Sequence, residues 1–427
     1  MRPFVRRAAA VVVAACWLAA GAEPLVDAAR GARDPVDFAR DYVAARARLE
    51  DGRGPAPDGD AANARAVRLG APPAVLLGAI YYIHPPPAVL PVLPLAALPW
   101  RGAALAWLAA SLLALGWLAH SLLALAARGQ PPAPARVALA TAALALWPPV
   151  LHGLEKGQWS ILIAALLAAG LRALEGERPR RAGVLFGLAA ALKVTPLVLA
   201  VVLVLRHRRA AAAMLATFAA AVAATVAVSG VGPWRAFLGG AARNAAVWAP
   251  WIANTASPAG VYARLFAGGP FARPLFEAPA LANAAFDLTA AALIVAALLG
   301  LRAVARARPS PAGAAGGGEA AGETAILAAW LTFPVLLNPL GWTHVVVMLL
   351  APLVIAVRDG GPRTRRVAFF VLAALTVPRE ALARFAGPIP VAPIRGLALG
   401  LHAAAAVALF ATLLRVARDG AAGGERA

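Results

Sequence analysis

GAALAWLAASLLALGWLAHSLLALAA, residues 102–127, runs for 26 positions without a formal charge. At 1.5 Å per residue a helix of that length spans roughly 39 Å. The hydrocarbon core of a bilayer is only about 30 Å thick. One such run can be a buried helix. Residues 8–20, 136–152, 182–205, 211–229 and 396–417 repeat the pattern, and arginines stand at the ends of these blocks. The chain as a whole is 61% hydrophobic and 14% charged, against about a quarter charged in an ordinary soluble domain. These features predict an all-α polytopic membrane protein with about eleven or twelve transmembrane helices.

Outward from residues 102–127, spans are expected at about 7–22, 87–100, 135–152, 158–174, 182–205, 211–230, 287–304, 323–340, 343–357, 366–378 and 393–416. The span at 87–100 is read as short and kinked, because Pro91, Pro94 and Pro99 remove helix donors. The first span is read as retained rather than as a cleaved signal. Two polar segments, 23–87 and 231–286, are too polar to cross a bilayer and too long for ordinary turns. Within the first, residues 37–49 fit a short interfacial helix, with Asp37, Arg40, Asp41 and Arg48 on its polar side and Phe38, Tyr42 and Leu49 on the other. Residues 306–321 read as a flexible Ala/Gly/Pro loop and 418–427 as a short disordered tail, leaving 1–417 as a single transmembrane domain.

Arginine placement sets the expected topology. Arg2, Arg6 and Arg7, then Arg206, Arg208 and Arg209, Arg302, Arg306 and Arg308, Arg358, Arg363, Arg365 and Arg366, and finally Arg415 and Arg418 mark cytoplasmic ends. Alternation then puts 23–87 and 231–286 on the extracytoplasmic side. Arg178, Arg180 and Arg181 fall on the outer side in this scheme, diluted by Glu175 and Glu177. The net charge of +20 does not point to nucleic acid. Its arginines lie where lipid headgroups lie, and no basic stretch is interleaved with aromatics. The single cysteine, Cys16, excludes an intramolecular disulfide and a cysteine metal site. No Gly-rich phosphate loop or HExxH appears, and no acidic cluster forms a metal cage. No cofactor and no metal is expected.

Few polar residues are left to carry chemistry. Asp37, just beyond the first span, is a candidate general base, against a helix N-cap or a solvated charge. Asp34 and Asp41 share its chemistry, and sequence does not separate the three. Lys193, one of only two lysines, lies inside the apolar block 182–205 next to Pro196. A buried ammonium there favours an anion such as a lipid-linked phosphate, against a lysine snorkelling to the interface. His344, in Asn338-Pro339-Leu340-Gly341-Trp342-Thr343-His344, is a candidate proton carrier or phosphate donor, against a packing histidine. His84 precedes the proline run and reads the same way. Gln158 lies in a polar interruption with Glu155, Lys156 and Gly157. Arg243 and Asn254, in the second polar segment, suit contacts to phosphate and sugar.

The ordered motifs carry a resemblance. Asp37-Phe38 with Tyr42, Ala44, Ala45 and Gly52 comes first. Tyr82-Ile83-His84-Pro85-Pro86, Pro94-Leu95, Leu98-Pro99 and Gly157-Gln158 follow. Ala182-Gly183, Ala191-Leu192-Lys193-Val194-Thr195-Pro196 and Asn338-Pro339 with Trp342 and His344 complete the set. In this order the chain resembles glycosyltransferase family 87, the polyprenol-phosphate-mannose-dependent α-1,2-mannosyltransferase-like membrane proteins, over about residues 30–360. His84 stands where that family usually has Tyr or Phe.

The resemblance implies a GT-C type fold and an inverting transfer of a sugar, typically mannose, from a polyprenyl-phosphate donor. The acceptor hydroxyl would belong to a glycolipid, a glycan or a protein on the extracytoplasmic side of the bacterial inner membrane. Asp37 and His344 would be the catalytic residues. Lys193, Tyr82, His84, Gln158, Arg243, Asn254 and Asn338 would bind substrate. The rival readings are a lipid or sugar transporter or flippase, disfavoured by the lack of an evident inverted repeat, and a non-catalytic scaffold for envelope assembly.

Overall fold

The computed structural model describes residues 34–52, 59–72, 84–239, 255–268, 273–306, 317–378, 382 and 399–426. All regular structure among them is helical. The expected first span, Tyr82, Arg243 and Asn254 lie outside the described residues. The chain divides into two compact units, one of residues 30–138 and 153–250, the other of residues 1–29, 139–152 and 251–427.

In the first unit, α1 (Val36–Asp51) is followed by α2 (Gly59–Arg68), a 3₁₀ helix (Pro86–Val92), α3 (Leu93–Ala96) and α4 (Trp100–Ala126). The prolines of 85–99 explain the short pieces. Each removes an N–H from the ladder, and Pro91 sits inside the 3₁₀ turn. With Pro99 behind it the chain resumes as α4, 27 residues long, and Leu105 and Leu113 stand on its outside. The chain then passes through α5 (Pro134–Ala145) and α6 (Pro148–Lys156), whose residues 139–152 are assigned to the second unit and which meet at a bend of 75°. Two consecutive prolines, Pro148 and Pro149, start α6 at that bend.

α7 (Ser160–Glu175), α8 (Pro179–Leu192), a 3₁₀ turn (Thr195–Val198), α9 (Leu199–Arg206) and α10 (Arg208–Ser229) complete the first unit's regular elements. The α8–α10 contact depends on two glycines one turn apart. A Cβ on Gly183 would run into the carbonyl of Ala210, and one on Gly187 would lie 2.6 Å from the Met214 carbonyl and 2.7 Å from Thr217 Cβ. Small residues four apart let two backbones approach where lipid supplies no hydrophobic drive between helices. Gly170 of α7 makes room in the same way for the ring of Phe186.

The second unit contains α11 (Pro258–Tyr262), a π-helical turn (Ala263–Ala267), α12 (Pro279–Arg306), α13 (Gly317–Trp330), α14 (Phe333–Leu336), a 3₁₀ helix (Thr343–Leu349), α15 (Leu350–Asp359), α16 (Pro362–Thr376) and α17 (Leu401–Arg426). Gly300 lets α12 approach Ile326 of α13 and Leu414 of α17, with a Cβ there falling 3.1 and 2.9 Å from their methyls. Phe333 packs on Phe410 at 5.5 Å between ring centres, and Trp147 donates to Thr376 Oγ1 at 3.0 Å.

Four described helices are long and apolar enough to cross a membrane: Trp100–Ala126, Arg208–Ser229, Pro279–Arg306 and Leu401–Ala421. Counting the bent α5–α6 pair as one span makes five. Leu113 is 76% exposed and Leu288 72%, side chains suited to lipid rather than water. These are the helices of a multi-pass membrane protein. Other apolar blocks are divided into shorter pieces by Pro, Gly and Lys, as in 182–205, where the helix ends at Leu192 and restarts as a 3₁₀ turn at Thr195.

Candidate active site

The first unit gathers its polar side chains around α1. Pro35 precedes the helix, and Asp37 lies in its first turn, where a carboxylate favours the positive end of the helix dipole. The residue at the N-cap is therefore Pro35, and no side chain caps the helix. Phe38 and Tyr42 are buried, as their apolar character requires, while Leu49 is exposed. Asp41 departs from the polar face expected of it: it is buried with them.

The buried face is aromatic. Phe38 stacks on Trp107 at 4.7 Å and 14° and on Trp100 at 5.8 Å and 24°. Trp107 meets Trp159 edge-on at 4.4 Å and 80°. Such pairs contribute about 0.5–1.5 kcal/mol each beyond area burial. The Tyr42 hydroxyl donates to the Leu98 carbonyl at 2.8 Å, and Arg46 Nη1 donates to the Ala96 carbonyl at 2.7 Å. These two bonds tie α1 to the proline segment, whose broken helix leaves carbonyls free to accept them. Burial pushes the Tyr42 phenol above its ordinary value.

Three carboxylates that sequence left equivalent receive three different environments. Asp34 accepts from Trp100 Nε1 at 3.1 Å. Asp37 accepts from Gln158 Nε2 at 2.6 Å and pairs with Arg40 at 3.1 Å, with 16% of its side chain exposed. Asp41 accepts from Trp159 Nε1 at 2.8 Å and faces His84 Nδ1 with both oxygens at 3.1 Å; its side chain is 8% exposed. Asp34 is exposed, Asp41 is buried, and Asp37 lies between them, partly exposed and held by both Gln158 and Arg40.

The turn that presents Gln158 and Trp159 is made by Gly157, which has φ +70 and ends α6. A Cβ there would fall 2.7 Å from both Phe38 Cβ and Pro35 Cβ. Glycine is required on both counts: the left-handed backbone and the close approach to α1.

Lys193 stands where α8 stops. Its backbone is extended (φ −154, ψ 121) and Pro196 follows three residues later in the first part of the 3₁₀ turn. The side chain is partly buried, and Asp37 lies within electrostatic reach of its ammonium. An ammonium and a carboxylate from distant parts of the sequence thus belong to one neighbourhood of this unit. In the same unit, Arg40 Nε, Trp107 Nε1, Ser160 Oγ and Thr195 Oγ1 are buried and make no hydrogen bond within the protein. Buried polar atoms are normally paired, and these four are exceptions.

The second unit holds His344 and Asn338. Asn338 folds its own turn, accepting from the Leu340 amide at 3.0 Å through Oδ1, and its carbonyl accepts from Gly341 at 3.1 Å. Gly341 then accepts from the Ala256 amide at 2.6 Å, and Ser257 donates to the Pro339 carbonyl at 3.1 Å. Asn338 Oδ1 and its carbonyl thereby help to build the loop. His344 is buried in the 3₁₀ helix that follows, with its ring 5.5 Å from that of His152. Arg264, 1% exposed in the π-helical turn, donates to the Thr255 carbonyl at 3.4 Å. Sequence reading passed over His152 and Arg264. The signal for Arg264 was an arginine within 255–268, a segment otherwise without charge. Among the described residues no group of three or more His, Cys, Asp or Glu is placed to hold a metal ion.

Residues 82–318, more than half of the chain, match the model of glycosyltransferase family 87. The chain belongs to glycosyltransferase family 87. Membership assigns it to glycosyl transfer as a class of enzyme. No curated protein and no solved structure matches the chain. The family 87 match includes His84, Gln158 and Lys193, whereas Asp37, Asn338 and His344 lie outside the matched residues. The family 87 segment therefore supplies Gln158 to Asp37, and α1 supplies the carboxylate itself and its Arg40 partner.

Proposed function

We propose that this family 87 protein transfers a sugar, mannose in the first instance, from a polyprenyl-phosphate donor to an acceptor hydroxyl at the extracytoplasmic face of the bacterial inner membrane. In this reading residues 1–417 form one GT-C type domain of about eleven or twelve spans, with 23–87 and 231–286 outside. The acceptor is a glycolipid, a glycan or a protein. The single observation that carries the reading is Asp37. It is partly exposed, gripped at 2.6 Å by Gln158, and shares its neighbourhood with Lys193.

The chemistry follows from those positions. Asp37 takes the proton of the acceptor hydroxyl as its oxygen attacks C1 of the sugar. The C1–O bond to the phosphate breaks on the opposite face, and the anomeric centre inverts. The bond pair leaves with the polyprenyl phosphate, whose oxygens gain negative charge as the bond lengthens. Lys193 stabilises that charge, as a fixed cation does most effectively where water is scarce. The phosphate is a good leaving group and needs no general acid. Gln158 orients the carboxylate, and Arg40 balances its charge between turnovers. His344 enters the reading as a proton-carrying residue of the other unit, tested by its own variant.

The test is Asp37→Asn in full-length, membrane-embedded protein supplied with polyprenyl-phosphate-mannose. A positioned base contributes about 10²–10⁴ in rate, and turnover is expected to fall by that much with the thermal unfolding midpoint retained. Undiminished transfer by Asp37→Asn removes the base assignment. His344→Gln in the same assay is expected to lower turnover by roughly tenfold or more.

A further inference from the structure

We propose that Asp41 and His84 form a sugar-positioning pair, in which Asp41 fixes the imidazole so that Nε2 of His84 hydrogen-bonds one hydroxyl of the transferred sugar. The proposal rests on the glycosyl-transfer reading above and names the part of the substrate that a second polar centre of the same unit recognises.

Asp41 leaves α1 one turn after Asp37, so the two carboxylates share a helix face. Consecutive residues of one turn hold them: Gln158 holds Asp37 and Trp159 holds Asp41. Asp41 has no role in the displacement. It is nonetheless a buried carboxylate, which a protein keeps only with compensation. Trp159 Nε1 and His84 Nδ1 supply it, the latter lying 3.1 Å from each oxygen. A carboxylate at Nδ1 selects the ring form that carries its proton there and fixes the plane of the ring. Nε2 is the ring nitrogen that Asp41 does not use. The backbone is pinned as well. Pro85, Pro86 and Pro87 follow His84, and Pro85 is fixed at φ −64 and ψ 150.

A hydroxyl is the group that suits this nitrogen in either state. Neutral imidazole accepts at Nε2 and needs a donor, which a phosphate diester lacks; the protonated ring donates, and a hydroxyl accepts equally well. Two further polar groups adjoin Trp159, the other partner of Asp41. Trp107 Nε1 and Ser160 Oγ are buried without a protein hydrogen-bond partner. Trp107 packs directly on Trp159, and Ser160 follows it in sequence.

The experiment measures kcat/KM of the full chain in membranes with polyprenyl-phosphate-mannose and its monodeoxy analogues. Wild type, His84→Ala, His84→Asn and Asp41→Asn are compared. Asn at position 84 keeps an amide to donate to Asp41 but has no second ring nitrogen, so it separates recognition from folding. One neutral hydrogen bond corresponds to about three- to tenfold. Wild type is expected to lose that factor with one particular deoxy donor. His84→Ala and His84→Asn are expected to lose it with the complete donor and nothing further with that analogue. Asp41→Asn shows the same donor-selective pattern at smaller amplitude. A loss of equal size with every donor in both His84 variants overturns the proposal, as does a wild type indifferent to each single hydroxyl; the transfer reading then stands alone. A wild type that transfers none of these sugars overturns the transfer reading and this one with it.

Discussion

Asp37 and Asp41 leave the same face of α1 one turn apart and are gripped by adjacent residues, Gln158 at 2.6 Å and Trp159 at 2.8 Å. The two grips differ in consequence. An amide holds Asp37 and leaves it partly exposed, whereas an indole and an imidazole enclose Asp41. One carboxylate is left available for chemistry and the other is committed to orienting a neighbour.

That arrangement depends on Gly157. Gly157→Ala adds a Cβ at 2.7 Å from two neighbouring Cβ atoms and imposes a left-handed conformation on a residue with a side chain. We expect a destabilisation of about 1–3 kcal/mol, read by thermal unfolding. The loss of transfer activity should exceed what the unfolded fraction explains, because Gln158 and Trp159 shift together.

Lys193→Met retains the length and apolar stem of the side chain and removes its charge. Transfer from a lipid-phosphate donor is expected to fall by about 10²–10³ in kcat. Lys193→Arg should restore part of it. Equal rates for the Met variant and wild type would show that the ammonium takes no part in departure of the phosphate.

Gly187→Val places branched atoms where the Met214 carbonyl already stands at 2.6 Å from a single Cβ. The α8–α10 contact has no flexible side chain to yield there. We expect at least about 3 kcal/mol of destabilisation, seen as a lowered unfolding midpoint in detergent. An unchanged midpoint would show that these helices tolerate separation.

Tyr42 links pH to stability. Its phenol is raised in the folded state by burial, so the neutral form is favoured by folding. Its contribution is fully present below the unfolded value of about 10 and is lost as pH rises from there through the higher folded value. Tyr42→Phe removes the bond to the Leu98 carbonyl, at about 1 kcal/mol, and should flatten the alkaline decline in stability. Denaturation curves between neutral pH and about pH 11 read both effects.

Much of this was legible in the sequence because it rests on local rules. The apolar block at 102–127 became α4, the prolines of 85–99 broke the helix, and the run from Asp37 to Leu49 formed most of α1. The separation of Asp34, Asp37 and Asp41 was not legible. Their partners are Trp100, Gln158, Trp159 and His84, which lie 43 to 121 positions away. Asp41 was placed on a polar face by helical periodicity alone. Its burial is decided by a tryptophan and a histidine that periodicity within α1 does not see. Asn338, expected as a substrate contact, also bonds the Leu340 amide through its carboxamide oxygen, a short-range habit of asparagine that the Asn-Pro pair could have signalled. The points where helices stop were the least legible, because hydropathy adds up residues without registering them.

The stop at Lys193 has a consequence of that kind. A hydropathy trace draws 182–205 as one rod, with successive side chains turning by 100° throughout. The backbone instead becomes extended at Lys193 and then turns by about 120° per residue through Thr195–Val198 before α9 begins. The angular phase of the rod is therefore reset at its midpoint. A cysteine-accessibility scan along this stretch should give two periodic traces that no single wheel can superimpose, with the discontinuity falling on Lys193.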